Sequence, residues 1–154
     1  MLIFKSEITK KLTKKNIKDI CRLKETYWKF SLKSQLNYFK KNIKQNDLHN
    51  YCYIDKKLIG YTLLKFKTFK MSNKNIKFLH FDTIIIDKDY RNKKIGNKLM
   101  LFNNDVITIN KLKAFLICSK KMKDFYKKNF WKIADKKYNK INISKVGFNL
   151  MTFS

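Results

Sequence analysis

The chain has 154 residues, 44% of them hydrophobic, which is enough for one domain with a real core and too little for two comfortable ones. Its 37 Lys and Arg against 11 Asp and Glu give a net charge of +26, a field that attracts nucleic acid, anionic membrane or polyphosphate without choosing among them. The 15% aromatic content argues against a disordered basic tail, and no apolar run approaches transmembrane length, which argues against membrane insertion.

Residues 2–8 (LIFKSEI) read as a first strand; the apolar run breaks after Phe4, so no signal-peptide core is visible and a cytoplasmic location is expected. Thr13 is placed to cap a helix carrying Ile17, Ile20, Cys21, Tyr27 and Trp28 on one side. A second helix follows, marked by Leu32, Leu36, Phe39 and Ile43. Residues 50–69 place β-branched and aromatic residues on both sides of Asp55, Lys56 and Lys57, the pattern of a hairpin. Residues 75–87 (NIKFLHFDTIIID) form a longer strand, and Ile95, Leu99, Phe102, Val106 and Ile109 then mark a helix over 94–109.

Residues 113–119 (KAFLICS) read as a buried parallel strand, 120–130 as a short helix and 146–153 as a closing strand. Phe125, Phe130 and Trp131 read as core. The order β-α-α-β-β-β-α-β-α-β predicts a mixed sheet covered by helices, with one right-handed βαβ crossover over 76–119. Cys21, Cys52 and Cys118 lie far apart and outside any C-x-x-C or Cys/His cluster, so buried free thiols are expected, with neither a disulfide framework nor a metal site.

Three places carry chemistry. Arg91–Gly96 stands where a strand hands over to a helix, and a helix N-terminus offers unpaired N–H groups to a phosphate. The other reading of that stretch is a solvated basic loop. In the preceding strand, positions 76, 78, 80, 82, 84 and 86 are expected to share a face, so His80 and Asp82 interrupt an apolar stripe. Either they satisfy each other inside the core, or they face a cleft that needs a proton acceptor. Tyr126, in the short aromatic helix, reads by itself as a hydrogen-bonded core tyrosine.

Together these pieces resemble the GNAT superfamily of acyl-CoA-dependent N-acetyltransferases over nearly the whole chain. "IIIDKDYRNKKIGNKLM" is similar to the family's strand, R/Q-x-x-G-x-G/A loop and pyrophosphate-receiving helix. Arg91 matches the first position and Gly96 the last; Lys94 replaces the first glycine and is expected to offer its N–H from a negative φ. "LICSKKMKDFYKKNFW" is similar to the family's FYxKxGF region, with Tyr126 on the tyrosine and Asn129 in place of the glycine, as a residue tolerant of left-handed backbone.

The resemblance implies a mixed α/β (α+β) fold: a mostly antiparallel sheet of six to seven strands, about four helices and a βαβ acetyl-CoA-binding core. It implies acetyl-CoA as co-substrate, no metal, and direct transfer to a primary amine. Backbone of Ile84, Ile85 and Ile86 would pair with the pantetheine arm. Arg91, Asn92, Lys93, Lys94, Ile95, Gly96 and Asn97 would hold the pyrophosphate. Asp82 or His80, directly or through water, would deprotonate the amine, and Tyr126 would protonate the thiolate. Cys118, at the end of its strand, offers a covalent acyl route, against which stands the plainer reading of a buried thiol. The charge keeps three alternatives in view: an acetyltransferase acting on a charged RNA, a basic nucleic-acid-binding module, and a CoA-binding protein without turnover. The acceptor pocket is expected from the first two helices, the loop before residue 50 and the turn after Trp131. The closing strand is placed to pair across a homodimer.

Overall fold

The computed structural model describes residues 1–138, 141 and 147–154. Two pairs of positive-φ residues fold its longest strands. Asp55 and Lys56 turn β2 (Leu48–Ile54) into β3 (Lys57–Met71), and Ser72 and Asn73 turn β3 into β4 (Lys74–Ile86). Two consecutive residues at positive φ match the right-handed twist of the flanking strands, so each makes a tight hairpin. Lys57 therefore begins β3 and is not part of the expected turn.

With β1 (Leu2–Ile8) added antiparallel to β2, the first four strands form a meander. β5 (Lys113–Ser119) joins parallel to β4, and β7 (Phe148–Phe153) and β6 (Lys132–Ile133) complete a seven-stranded sheet in the order β1-β2-β3-β4-β5-β7-β6. The sheet is mixed and mostly antiparallel, as expected.

α1 (Lys14–Glu25) starts in a reciprocal cap: the Asn16 N–H donates to Thr13 Oγ1 at 3.1 Å, and the Thr13 N–H donates to Asn16 Oδ1 at 3.0 Å. With α2 (Leu32–Asn42) it covers one face of the sheet, over Tyr51, Tyr61, Leu63 and Ile85. α3 (Ile95–Ile109) and α4 (Lys123–Lys128) cover the other, where Leu64, Leu79, Phe81, Met100, Ile107 and Trp131 form the main core. Among the described residues no helix is long and apolar enough to cross a membrane.

Several expectations shift. α1 closes before Tyr27 and Trp28, because the Thr26 hydroxyl donates to Leu23 O at 2.7 Å; Trp28 still packs on the core while Tyr27 is exposed. Ile43 caps α2 in extended conformation, and Ile107, not Ile109, is the buried end of α3. Phe130, expected in the core, is 67% exposed. β6 was too short to leave a periodic signal. It lies on the outer edge of β7 at Thr152 and Met151, so the closing strand is not a free edge there. Val146, the expected start of that strand, lies outside the described residues.

The largest departure lies in β4. Leu63 pairs with Thr83 but Leu64 pairs with Phe81, leaving Asp82 as an extra residue, a β-bulge. The even positions therefore do not share one face. Ile84 and Ile86 pack on the α3 side, whereas Ile85 joins the core under α1 and α2. The bulge turns Asp82 and Thr83 together toward α1 and α2.

Candidate active site

β4 pairs with β5 only over Phe78–His80 against Lys113–Phe115 among the described residues, whereas β3 pairs with β4 through to Ile86. Beyond His80 the two parallel strands part, and the β4 edge facing β5 is left open. A groove of about 580 Å³ lies beside it, lined by Ile84, Ile85, Ile86, Arg91, Asn92, Lys94, Ile95, Gly96 and Asn97 together with Tyr27, Met122 and Phe125. Nine of the ten expected binding residues thus meet in one place. Lys93 does not: its Nζ donates to Asp89 O at 3.0 Å and lies over the Tyr90 ring.

The loop is shaped by Asp87, whose carboxylate accepts the Asp89 N–H at 3.0 Å and pairs with Lys57 at 2.9 Å. Burial works to raise its pKa, but those partners outweigh it and hold the pKa below the usual carboxylate value. Asn92 and Lys94 then take φ of 61° and 58°. The expected negative φ at Lys94 is therefore corrected: the lysine adopts the left-handed conformation that a glycine would take, at a cost of about 1 kcal/mol. Lys94 is the N-cap of α3, with no side-chain capping bond. The first-turn amides of α3 consequently face the groove without a side-chain cap, the arrangement that suits a phosphate.

Arg91 spans the groove mouth: its Nε donates to Ile86 O at 3.1 Å and its guanidinium lies 5.6 Å over the Tyr27 ring. At Gly96 the nearest atoms an added Cβ would meet belong to Phe125 and Ile86, at 3.7 to 3.9 Å, which is ordinary contact. The protein's own packing does not demand this glycine; what it keeps open is the groove.

Across β4 lies a second cavity of about 500 Å³, lined by Lys24, Trp28, Phe30, Ser34, Gln35, Tyr38, Asp82 and Thr83. Residues of α1, of α2 and of the segment between them line it with Asp82 and Thr83, and neither the loop before residue 50 nor the turn after Trp131 does. Asp82 Oδ1 lies 3.3 Å from Lys65 Nζ and 3.9 Å from His80 Nδ1, while Oδ2 accepts the Thr83 hydroxyl at 3.1 Å. His80 stacks flat on Phe115 at 4.6 Å. Burial lowers its pKa more than Asp82 raises it, so the imidazole is neutral near pH 7. Sequence reasoning missed Lys24. The signal was present, since Lys24 continues the stripe of Ile17, Ile20 and Cys21 seven residues after Ile17, a lysine on an apolar face.

Tyr126 is 7% exposed, edge-on to Phe81 at 6.0 Å, with Trp131 at 6.5 Å. Burial, reinforced by nearby Cys118, pushes its phenol well above the usual value, so it keeps its proton. Its neighbours Met122 and Phe125 line the groove; Tyr126 stands behind them. Cys118 is buried, its Sγ 3.6 Å from Met151 Sδ, and burial raises its pKa against the opposing pull of Lys123. It is a thiol, as are the other two buried free cysteines.

The expected left-handed role of Asn129 is overturned. Asn129 has φ −101°, and the positive φ of 71° falls on Phe130. Asn129 is instead an anchor: its Nδ2 donates to Phe125 O at 2.8 Å, and its carbonyl accepts Asn104 Nδ2 at 2.9 Å. Asn104 Oδ1 in turn accepts the Trp131 indole N–H at 3.0 Å, tying α3 to the end of α4. On the opposite face Thr9 donates to Asp47 O, so its hydroxyl accepts from His49 Nε2 at 2.8 Å, and the Tyr61 hydroxyl donates to His49 Nδ1 at 2.8 Å. Among the described residues no three His, Cys, Asp or Glu converge as metal ligands do.

The family model of the acetyltransferase (GNAT) domain matches residues 9–150. Solved structures share the fold. An acyl-CoA N-acyltransferase from Pseudomonas aeruginosa aligns with a TM-score of 0.73 at 12% identity over 100% of both chains. ElaA of Escherichia coli gives 0.68 at 12% over 100% of both. Naa50 of Arabidopsis thaliana, in complex with the bisubstrate analogue CoA-Ac-MVNAL, gives 0.65 at 18% over 98% of both. Among curated proteins none matches this sequence.

Proposed function

Because this chain belongs to the GNAT acetyltransferases, we propose that it transfers an acetyl group from acetyl-CoA to a primary amine by direct attack. The observation that carries this reading is the juxtaposition at the β4 bulge. An open strand edge and a phosphate-suited helix N-terminus line one side, and a cavity ending on Asp82 lines the other.

Acetyl-CoA, when bound, supplies the thioester carbonyl. Backbone groups of Ile84, Ile85 and Ile86 would pair with its pantetheine arm as an added strand. Arg91 and the amides of Asn92 and of Lys94 to Asn97 would hold the pyrophosphate, with Lys94 adding a positive charge at the α3 N-terminus. Asp82, facing the acceptor cavity, takes the proton that the amine nitrogen loses as its new bond to the acyl carbon forms; neutral His80 beside it is the second acceptor. As the carbon–sulfur bond breaks, the protonated phenol of Tyr126 supplies a proton to the sulfur. No covalent acyl-enzyme is required, and the protonated state of Cys118 disfavours one.

The test is a titration with acetyl-CoA followed by thermal unfolding. A ligand at 100 times its Kd should add about 2.7 kcal/mol of stability. No stabilisation at saturating ligand removes this reading.

A further inference from the structure

The acceptor cavity holds two polar side chains that the transfer reaction does not use. Lys24 is 7% exposed and Gln35 6% exposed, both line the cavity, and neither side chain makes a hydrogen bond or ion pair among the described residues. Lys24 Nζ rests only on aromatic faces, 5.8 Å from the Trp28 centroid and 5.1 Å from that of Tyr38. A largely buried ammonium with no ion-pair partner at contact distance is unfavourable unless something else supplies one. Asp82 acts on Lys24 only from longer range: no ion pair joins them, and the nearest partners of the carboxylate are Lys65 and Thr83. Lys24 in the lining, with Lys65 paired to Asp82 beside it, sets two lysines against one carboxylate, a surplus of one positive charge.

Building on the acyl-transfer reading above, we propose that Lys24 and Gln35 receive the carboxylate of the acceptor, and that the acceptor is an amino acid with an apolar or aromatic side chain. A single carboxylate cancels the single surplus charge, and the Gln35 amide can donate to its second oxygen. Trp28, Phe30 and Tyr38 wall the cavity with flat apolar surface for the side chain. Asp82 and Thr83 lie on the β4 wall, leaving the amine next to the proton acceptor. The same surplus charge repels diamines and other polycations, and it favours the neutral, nucleophilic form of a bound amine.

Binding of the acetylated products tests this without turnover. Trp28 lines the cavity whereas Trp131 is fully buried, so the change in tryptophan fluorescence on titration reports the cavity. N-acetyl-L-phenylalanine is expected to bind at least about tenfold more tightly than N-acetyl-2-phenylethylamine, which lacks only the carboxylate, the effect of one hydrogen-bonded charge pair. Lys24→Met should abolish that preference, and Gln35→Leu, which leaves the lysine in place, should reduce it. Equal binding of the two compounds, tighter binding of spermidine, or an unchanged preference in both variants overturns the proposal. Calorimetry with acetyl-CoA on the same protein reads the groove separately. Failure there removes the transfer reading, whereas loss of carboxylate preference with intact acetyl-CoA binding removes only this inference.

Discussion

The two cavities on either side of β4 are built by opposite means. The groove is made largely of backbone: a free strand edge, a left-handed residue at Lys94 and the uncapped amides of α3. The proposed acceptor cavity is made of side chains, with Asp82 turned into it by a bulge and Lys24 and Gln35 brought to it from two helices. A backbone site tolerates a lysine where glycine is usual, provided the conformation survives. A side-chain site has no such tolerance, because its chemistry belongs to particular atoms.

That contrast is sharpened most by removing one proton-handling atom on each side. Asp82→Asn and Tyr126→Phe should each lower kcat by roughly 10²- to 10⁴-fold, with acetyl-CoA affinity within about twofold of the parent. Steady-state kinetics beside calorimetry separates the two. His80→Gln should lose less than Asp82→Asn, because His80 does not line the cavity. Unchanged turnover in Tyr126→Phe removes the tyrosine from its role.

The second effect belongs to the face under α1 and α2 alone. Burial pushes the His49 pKa from 6.5 down to about 3. Above pH 6.5 its contribution to stability is fully present. As pH falls toward 3 the unfolded chain takes up a proton that the folded chain refuses, and stability drops by up to ~1.4 kcal/mol per unit. Burial of His80 adds in the same direction. Urea unfolding at pH 7 and pH 5 should show a clear loss, and His49→Gln should flatten that slope even though it lowers stability at pH 7.

Next in size is the anchor behind the groove. Asn104→Leu leaves the Trp131 N–H and the Asn129 carbonyl buried without their partner, which should destabilise the fold by roughly 2–4 kcal/mol in chemical unfolding. The smallest effect tests the backbone nature of the groove directly. Lys94→Gly should raise stability by about 1 kcal/mol by relieving the left-handed lysine, and should weaken acetyl-CoA binding only a few-fold through the lost charge. A large loss of affinity would mean that the Lys94 side chain, not its backbone, makes the site.

Much of the fold was legible along the chain. Among the described residues, apolar periodicity located the four α-helices and six of the seven strands, and β6 escaped because two residues carry no period. The groove was legible too, since Arg91, Gly96 and the strand before them are neighbours in sequence as well as in space. The cavity across β4 was legible only in part: its helices and Asp82 follow from the sequence pattern, whereas Lys24 and Gln35 join it only in space.

What the sequence by itself determined is whatever depends on near neighbours: element order, the phosphate-suited turn at the start of α3, and the buried thiols. Only the tertiary structure decided the rest. One unpaired residue at Asp82 reversed which half of β4 faces which helices, an outcome set by the register with β3 some twenty residues away. Positive φ moved from Asn129 to Phe130, where Asn104 holds the turn from another helix. The charge balance around the cavity across β4 exists only once α1, α2, β3 and β4 stand together, because Coulomb interactions follow distance in space rather than separation along the chain.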